Sequence, residues 1–145
     1  KMSNSFCSGK RSYIGFAGNW GKPSMYTATN GFKIRMRSGW EVKTACYLDI
    51  ANIYWLYESI WIDLGESKYL PDFYLPDYGI FIEVKGRTKG PDLSKVSTAN
   101  DMGYKVLLWT AEELLKRGII TNSGNTELNK KYRDTELFID DWGLY

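Results

Sequence analysis

Two acidic residues and a lysine near the middle of the chain have the types and spacing that suit divalent-metal chemistry. Asp72 follows Pro71, ten residues separate it from Glu83, and Lys85 lies two positions further on. Carboxylate oxygens are the ligands that hard cations such as Mg²⁺ prefer, and a lysine beside such a cation can act on a bound water or on a phosphate. These residues are therefore the first candidates for a catalytic site.

The elements around the three residues predict how they are positioned. Residues 69–75 and 79–85 have strand composition, and the intervening Pro76-Asp77-Tyr78 has the residue types of a tight turn. In an antiparallel hairpin, the residue numbers of two opposed residues add to the same total at every pair. A turn centred between Asp77 and Tyr78 therefore places Asp72 opposite Glu83. The two carboxylates would then be close enough to share one cation.

Strand alternation places the side chains of Glu83 and Lys85 on one face of this hairpin. The other face of the same strand is apolar and contains Ile80, Ile82 and Val84. We expect the apolar face to cover the core, and the face with Phe81, Glu83 and Lys85 to be left for chemistry. The second Pro-Asp pair offers Asp77 as an alternative ligand, but at about 3.3 Å per residue it lies roughly 16 Å from the level of Glu83.

A helix is predicted from about Gly39 to Ala51, because apolar residues recur there at helical spacing. Ser38 is suited to cap its N-terminus, and Glu41 follows three residues later. This spacing has two interpretations. Glu41 can complete a capping box, or it can be a fourth acidic member of the site.

The other predicted elements are short. Residues 1–37 favour short strands and turns, with a hairpin around Thr29-Asn30-Gly31. Further along, the sequence predicts a strand at 54–64, a helix at 92–102 that ends at Gly103, a strand at 104–109, and a helix at 111–117 capped by Thr110. Residues 121–136 are polar and predict a loop or an extended tail.

Composition excludes several classes of protein. At 145 residues and 43% hydrophobic, the chain suits one domain with a single core. The absence of histidine excludes Ser-His-Asp and Cys-His catalysis and histidine-ligated zinc, and two cysteines are too few for a disulfide scaffold. No segment approaches the roughly 18 apolar residues of a membrane-spanning helix, and no signal peptide is recognisable. We expect a soluble, cytoplasmic protein.

Charge is divided unevenly along the chain. The first 40 residues contain seven of the 19 cations and none of the 17 acids, whereas the remainder is net acidic. Clustered cations interleaved with aromatic residues suit phosphate contact and base stacking on nucleic acid, although a solvated basic face would have the same composition. The candidates for DNA contact are Lys33, Arg35 and Arg37 in this basic arm, with Arg87 and Lys89 directly after the site.

Pro71-Asp72, ten residues and then Glu83-Val84-Lys85 resemble the signature of the PD-(D/E)XK nucleases, and Glu41 matches an extra glutamate found in many members. The similarity runs from Arg37 to about Trp109 and is strongest to phage-type members, including phage endonuclease I junction resolvases and some homing endonucleases. It implies an α/β fold with a restriction-endonuclease-like core, in which helices flank a central mixed sheet. The core would span 38–120, between a basic N-terminal arm at 1–37 and a tail at 121–145.

The resemblance also implies the chemistry of the site. Asp72, Glu83 and the main-chain carbonyl of Val84 would hold Mg²⁺, for which Mn²⁺ can substitute, and Glu41 would bind a second metal or its water. Lys85 could orient or deprotonate the attacking water, or stabilise the pentavalent phosphate, and the sequence does not choose between these roles.

The implied function is that of a phage-encoded DNA endonuclease in the cytoplasm of the infected bacterium. A branched junction and a defined sequence are both open as substrates, and junction resolution would require a homodimer, because two cuts must be placed symmetrically. The alternative is a nucleic-acid-binding or phage structural protein that has the nuclease fold without turnover.

Overall fold

The computed structural model describes residues 24–28, 30–86 and 91–133. They divide into two compact units at the boundary between Ile53 and Tyr54. The described elements are β1 Ser24–Thr27, β2 Lys33–Met36, α1 Gly39–Ile50, β3 Leu56–Tyr57, β4 Ile62–Asp63, β5 Lys68–Tyr69, β6 Phe73–Leu75, β7 Ile80–Lys85, α2 Pro91–Asp101, β8 Val106–Thr110, α3 Ala111–Lys116 and α4 Thr126–Lys131. Within these ranges, every helix is too short or too polar to cross a membrane.

The first unit is a two-stranded hairpin with one helix packed on it. β1 and β2 are antiparallel, and α1 contacts both strands. The turn between them contains Gly31 in the left-handed region at φ 92°, and Asn30 accepts a hydrogen bond from the Phe32 N–H at 2.9 Å. The predicted hairpin is therefore confirmed, although Thr29 lies outside the described residues. The hydroxyl of Tyr26 donates to the carboxylate of Asp49 and thereby ties β1 to α1.

The second unit contains a four-stranded mixed sheet in the order β3-β6-β7-β8. β7 is antiparallel to β6 and parallel to β8. Phe73 is opposite Ile82, and Leu75 is opposite Ile80, which is the register that the hairpin arithmetic predicts. The turn closes with the Gly79 N–H donating to the Leu75 carbonyl at 2.8 Å. A mixed α/β fold with a central mixed sheet and several helices is thus confirmed for the described residues.

The expectation that one face of β7 is left open is wrong. Every residue of β7 except Lys85 is buried. Phe81 belongs to an apolar cluster with Ile62, Tyr69, Val96, Ala99 and Val106. The strand is covered on this side because α2 and the β4–β5 hairpin pack over it, and sequence periodicity carries no information about such distant partners.

Two of the predicted strands are interrupted. The segment 54–64 contains β3, which joins the main sheet, and β4, which pairs instead with β5. Between them the backbone of Glu58 adopts φ 46°, a conformation that ends a strand. The segment 69–75 is likewise divided into β5 and β6, with Pro71 at the break, because proline has no N–H to give to a ladder.

The C-terminal half of the described chain follows the remaining predictions with one exception. The α2 helix ends before Gly103, whose φ is 105°, and β8 and α3 form as expected, with Thr110 as the cap of α3. The predicted loop at 121–136 is wrong for α4. Asn125 caps this helix and Asn129 accepts a hydrogen bond from the Ser123 N–H at 2.7 Å, so polar side chains fold it without an apolar stripe.

Candidate functional site

Four strands meet at one edge of the main sheet. β3, β7 and β8 end there, and β6 begins there, because β6 is antiparallel to β3 and β7 whereas β7 and β8 are parallel. Asp72 immediately precedes β6, and Glu83 and Lys85 lie in the last three residues of β7. The carboxyl ends of parallel strands are where open α/β sheets commonly bind ligands. The fold therefore brings these three predicted residues to one edge.

Asp72 connects the two neighbours of β6 at this edge. Its main-chain carbonyl accepts a hydrogen bond from the Glu58 N–H at 2.8 Å, on the β3 side. Its carboxylate accepts one from the Val84 N–H at 2.8 Å, on the β7 side. The side chain thus takes the place of a main-chain partner in the ladder of β7. Only 6% of Asp72 is exposed, so its carboxylate is largely shielded from bulk solvent.

Proline at position 71 explains why the Val84 carbonyl receives no main-chain hydrogen bond from the residue opposite it. The register that pairs Phe73 with Ile82 puts Pro71 opposite Val84. Proline has no N–H and cannot donate to the Val84 carbonyl from that position. The N–H and carbonyl of a strand residue point to the same neighbouring strand, so the Val84 carbonyl points to the same side as its N–H, which is bonded to Asp72. The Pro-Asp pair therefore brings a carboxylate and a main-chain carbonyl together.

Glu83 is held by a residue of the β4–β5 hairpin. Its carboxylate oxygen Oε1 accepts a hydrogen bond from the Tyr69 hydroxyl at 2.7 Å. Glu83 is 8% exposed and Tyr69 is 4% exposed. A buried carboxylate is costly unless it is hydrogen-bonded, and the phenol supplies a donor within the apolar cluster. Tyr69 consequently fixes the direction in which Glu83 points.

The donor set suits Mg²⁺ better than a transition metal. The described residues contain no group of three or more His, Cys, Asp or Glu side chains that could hold a metal ion. Mg²⁺ is commonly bound through one or two carboxylates and keeps several waters, so Asp72, Glu83 and the Val84 carbonyl would be sufficient ligands. Two neighbouring buried carboxylates also repel each other, and a cation would relieve that repulsion.

Lys85 is the last residue of β7 and is half-buried. It pairs with Thr110 at the end of β8, and strand alternation puts its side chain on the same face as Glu83. The predicted position of the ammonium group, beside the carboxylates at the open end of the sheet, is consistent with this register.

Glu41 lies in the other compact unit, where it completes the cap of α1. Its N–H donates to the Ser38 hydroxyl oxygen at 3.3 Å, and its Oε1 accepts from the Arg37 N–H at 3.3 Å. The capping interpretation of the sequence is therefore confirmed. Glu41 is also 6% exposed. Its role at a metal stays a prediction.

The cations expected to contact DNA fall into two groups. Lys33 and Arg35 alternate with Ile34 along β2 and are exposed, and Arg37 continues the same exposed face. Arg87 and Lys89 lie outside the described residues.

Two residues of this edge were not identified from the sequence. Tyr69 was assigned only to a strand, although the turn at Gly65-Glu66-Ser67 could have indicated a hairpin that brings it to Glu83. The sequence places Glu58 inside the predicted strand 54–64 and indicates no further role for it. Its N–H reaches the Asp72 carbonyl as the next pair of the β3–β6 register, whereas its left-handed backbone, which ends β3, has no signal in the sequence.

Neither a protein family, nor a curated protein, nor a solved structure matches this chain.

The Tyr69–Glu83 hydrogen bond can be tested by stability measurements in two backgrounds. In the wild-type chain, Tyr69→Phe should lower the free energy of unfolding by about 1.5–3 kcal/mol, because a buried carboxylate loses its donor. In a Glu83→Leu background, the same substitution should be neutral or stabilising, since both polar groups are then gone. Urea unfolding followed by circular dichroism measures both values, and an equal loss in the two backgrounds would contradict the assignment.

Proposed function

We propose that this protein is a metal-dependent DNA endonuclease that hydrolyses phosphodiester bonds. The proposal rests on one observation. The buried Asp72 carboxylate accepts a hydrogen bond from the Val84 N–H, at the same sheet edge as the buried Glu83. The finer fold assignment, a restriction-endonuclease-like core, is part of the proposal. It is supported by the chain order of helix α1, strand β3, hairpin β6–β7, helix α2 and parallel strand β8.

Asp72, Glu83 and the Val84 carbonyl would hold Mg²⁺, with Mn²⁺ as a substitute. When bound, the metal would activate a water and neutralise charge on the phosphate. The hydrogen bonds from Val84 and Tyr69 keep the two carboxylates in position before substrate arrives, so that little reorganisation is needed during the reaction. Lys85 would orient or deprotonate the attacking water, or stabilise the charged phosphate.

A binding protein without turnover is the second candidate, favoured by the exposed cations along β2. Both candidates act on DNA, but only the nuclease requires ionised carboxylates at the sheet edge. Within the nuclease class, a branched junction and a defined sequence remain separate proposals for the substrate. A junction substrate would call for a symmetric homodimer.

The conservative variant Asp72→Asn separates structure from chemistry. Its amide oxygen can still accept from the Val84 N–H, so the variant should fold like the wild-type chain, whereas the lost charge removes a metal ligand. Loss of several kcal/mol of charge stabilisation should slow cleavage by at least about 100-fold. Cleavage is measured on supercoiled, linear and four-way-junction DNA, with Mg²⁺ and with EDTA.

The chain supplies a matched control in its second Pro-Asp pair. Asp77 is exposed in the β6–β7 turn, so Asp77→Asn makes the same chemical change in a similar local sequence and should leave cleavage unaltered. Cleavage that Asp72→Asn leaves intact would refute the assigned site. DNA binding without any Mg²⁺-dependent product from the wild-type chain would favour the binding protein.

The exposed cations of β2 generate a separate prediction about binding. Reversal of Lys33, Arg35 and Arg37 to glutamate should weaken DNA affinity. It should also reduce the magnitude of the negative slope of log affinity against log salt by about 0.9 for each phosphate that the variant no longer neutralises. A variant with Lys105, Lys116 and Lys130 reversed, all exposed, has the same net charge and is the control. Equal salt slopes for the two variants, measured by fluorescence anisotropy, would show that β2 has no specific role.

A further inference from the structure

Trp61 is the most exposed of the large hydrophobic residues that the structure describes, at 63%. Its neighbour Ile60 is 37% exposed, and Ser59 is exposed as well. These three residues follow Glu58 in the connection between β3 and β4, and we call them the tryptophan segment. Ile60 and Trp61 are adjacent in the sequence and both exposed, and an exposed apolar patch indicates an interaction site.

Two connections place this segment beside Asp72. The Glu58 N–H donates to the Asp72 carbonyl, and Trp61 follows only three residues later. The β4–β5 register pairs Ile62 with Tyr69, so its continuation by one residue puts Trp61 opposite Leu70, two residues before Asp72. With about 5 Å between opposed Cα atoms and about 3.3 Å per residue along a strand, the Cα atoms of Trp61 and Asp72 lie within roughly 12 Å.

The same hairpin determines the direction of the indole. Ile62 and Tyr69 are buried in the apolar cluster that also contains Phe81. Side chains alternate along a strand, so Trp61 extends from the opposite side of the β4–β5 hairpin and into solvent. Its exposure is therefore a consequence of the strand pairing that holds Tyr69 against Glu83.

Cations lie on the same hairpin and on the helix that packs against it. Lys68 is exposed in β5, and the Lys95 ammonium donates to the Lys68 main-chain carbonyl at 3.1 Å. Asp63, which is opposite Lys68, accepts a hydrogen bond from the Gly65 N–H in the turn. The same region also contains Glu58, Asp63 and Glu66, so its charges nearly balance, and the contact expected of the indole is stacking on a base rather than binding of phosphate.

We propose that Trp61 is a stacking site for an unpaired nucleobase close to the scissile phosphate. This inference rests on the proposed nuclease function and specifies its substrate class, which is DNA that has unpaired bases, such as a fork or a branched junction. Bases of a continuous duplex are stacked on one another, so their faces are not available to the indole. The upper bound of roughly 12 Å between the two Cα atoms equals about three or four base steps at the 3.4 Å spacing of a duplex, and fewer nucleotides in an extended unpaired strand.

The test compares a forked DNA with a fully paired duplex that contains the same sequence. Binding is measured in EDTA, so that no cleavage is required. Trp61→Ala should weaken affinity for the fork by about 5- to 150-fold, which is the range of stacking on one base, and leave duplex affinity unchanged. Trp61→Phe keeps an aromatic face and should restore part of the loss. Tyr104→Ala is the control, because Tyr104 is an exposed aromatic residue at the opposite edge of the sheet.

A fluorescent base analogue, 2-aminopurine, provides a second measurement that needs no stable variant. Placed in the unpaired arm of the fork, it should be quenched by the wild-type chain. Absence of quenching, or equal effects of Trp61→Ala on fork and duplex, would overturn the stacking site. Self-association that Trp61→Ala abolishes, without a change in fork binding, would also overturn it and assign the segment to a second copy of the chain.

The two proposals can fail separately. Fork binding that depends on Trp61, in a protein that cleaves nothing with Mg²⁺, would retain the stacking site and refute the nuclease. Mg²⁺-dependent cleavage that Asp72→Asn abolishes, with fork affinity independent of Trp61, would retain the nuclease and refute the stacking site.

Discussion

The hydrogen bond from the Val84 N–H to the Asp72 carboxylate is the constraint on which the sheet edge depends. β6 has only three residues, and proline at position 71 ends its ability to donate to β7. The Asp72 side chain continues the ladder where the main chain stops. Its own carbonyl meanwhile holds Glu58 and the end of β3. One residue thus joins three strands. The carboxylate of Asp72 has this structural role, and we propose that its negative charge also binds a metal ion.

The burial of this edge makes the charges expensive. Because α2 and the β4–β5 hairpin cover the Glu83 face of β7, both carboxylates are more than nine-tenths buried. An ionised carboxylate in such a position is tolerated only with hydrogen bonds or a cation. The Val84 N–H and the Tyr69 hydroxyl supply one hydrogen bond each. This combination of burial and fixed orientation is what a preorganised metal site needs, and it supports the proposed chemistry.

Local rules predicted most of the elements and the register of the central hairpin. The pairing of residues in this hairpin depends only on where the turn at Pro76-Asp77-Tyr78 is centred. Asp72 could therefore be placed opposite Glu83 from the sequence alone. The helix at Gly39–Ile50 was predictable in the same way, because Ser38 and Glu41 carry the cap in their own side chains. In each case the determining residues lie within a few positions of one another.

Predictions failed where distant packing or backbone conformation decides the outcome. The cover over Phe81 comes from residues of α2 and the β4–β5 hairpin, and alternation within β7 cannot reveal it. The left-handed Glu58 divides a segment of strong strand propensity. The helix Thr126–Lys131 has no buried residue. Its sequence therefore lacks the apolar periodicity that would have predicted a helix after the Asn125 cap. The position of Tyr69 beside Glu83 depends on the same division of strands.

The most direct test of the proposed metal site is whether Asp72 binds a divalent cation. Titration with Mn²⁺, followed by the electron paramagnetic resonance signal of the free ion, reports binding without any substrate. The wild-type chain and Asp77→Asn should remove free Mn²⁺ from solution, whereas Asp72→Asn should do so far more weakly. Binding by Asp72→Asn that equals the wild type would contradict the metal site and leave the Asp72 carboxylate with its structural role alone.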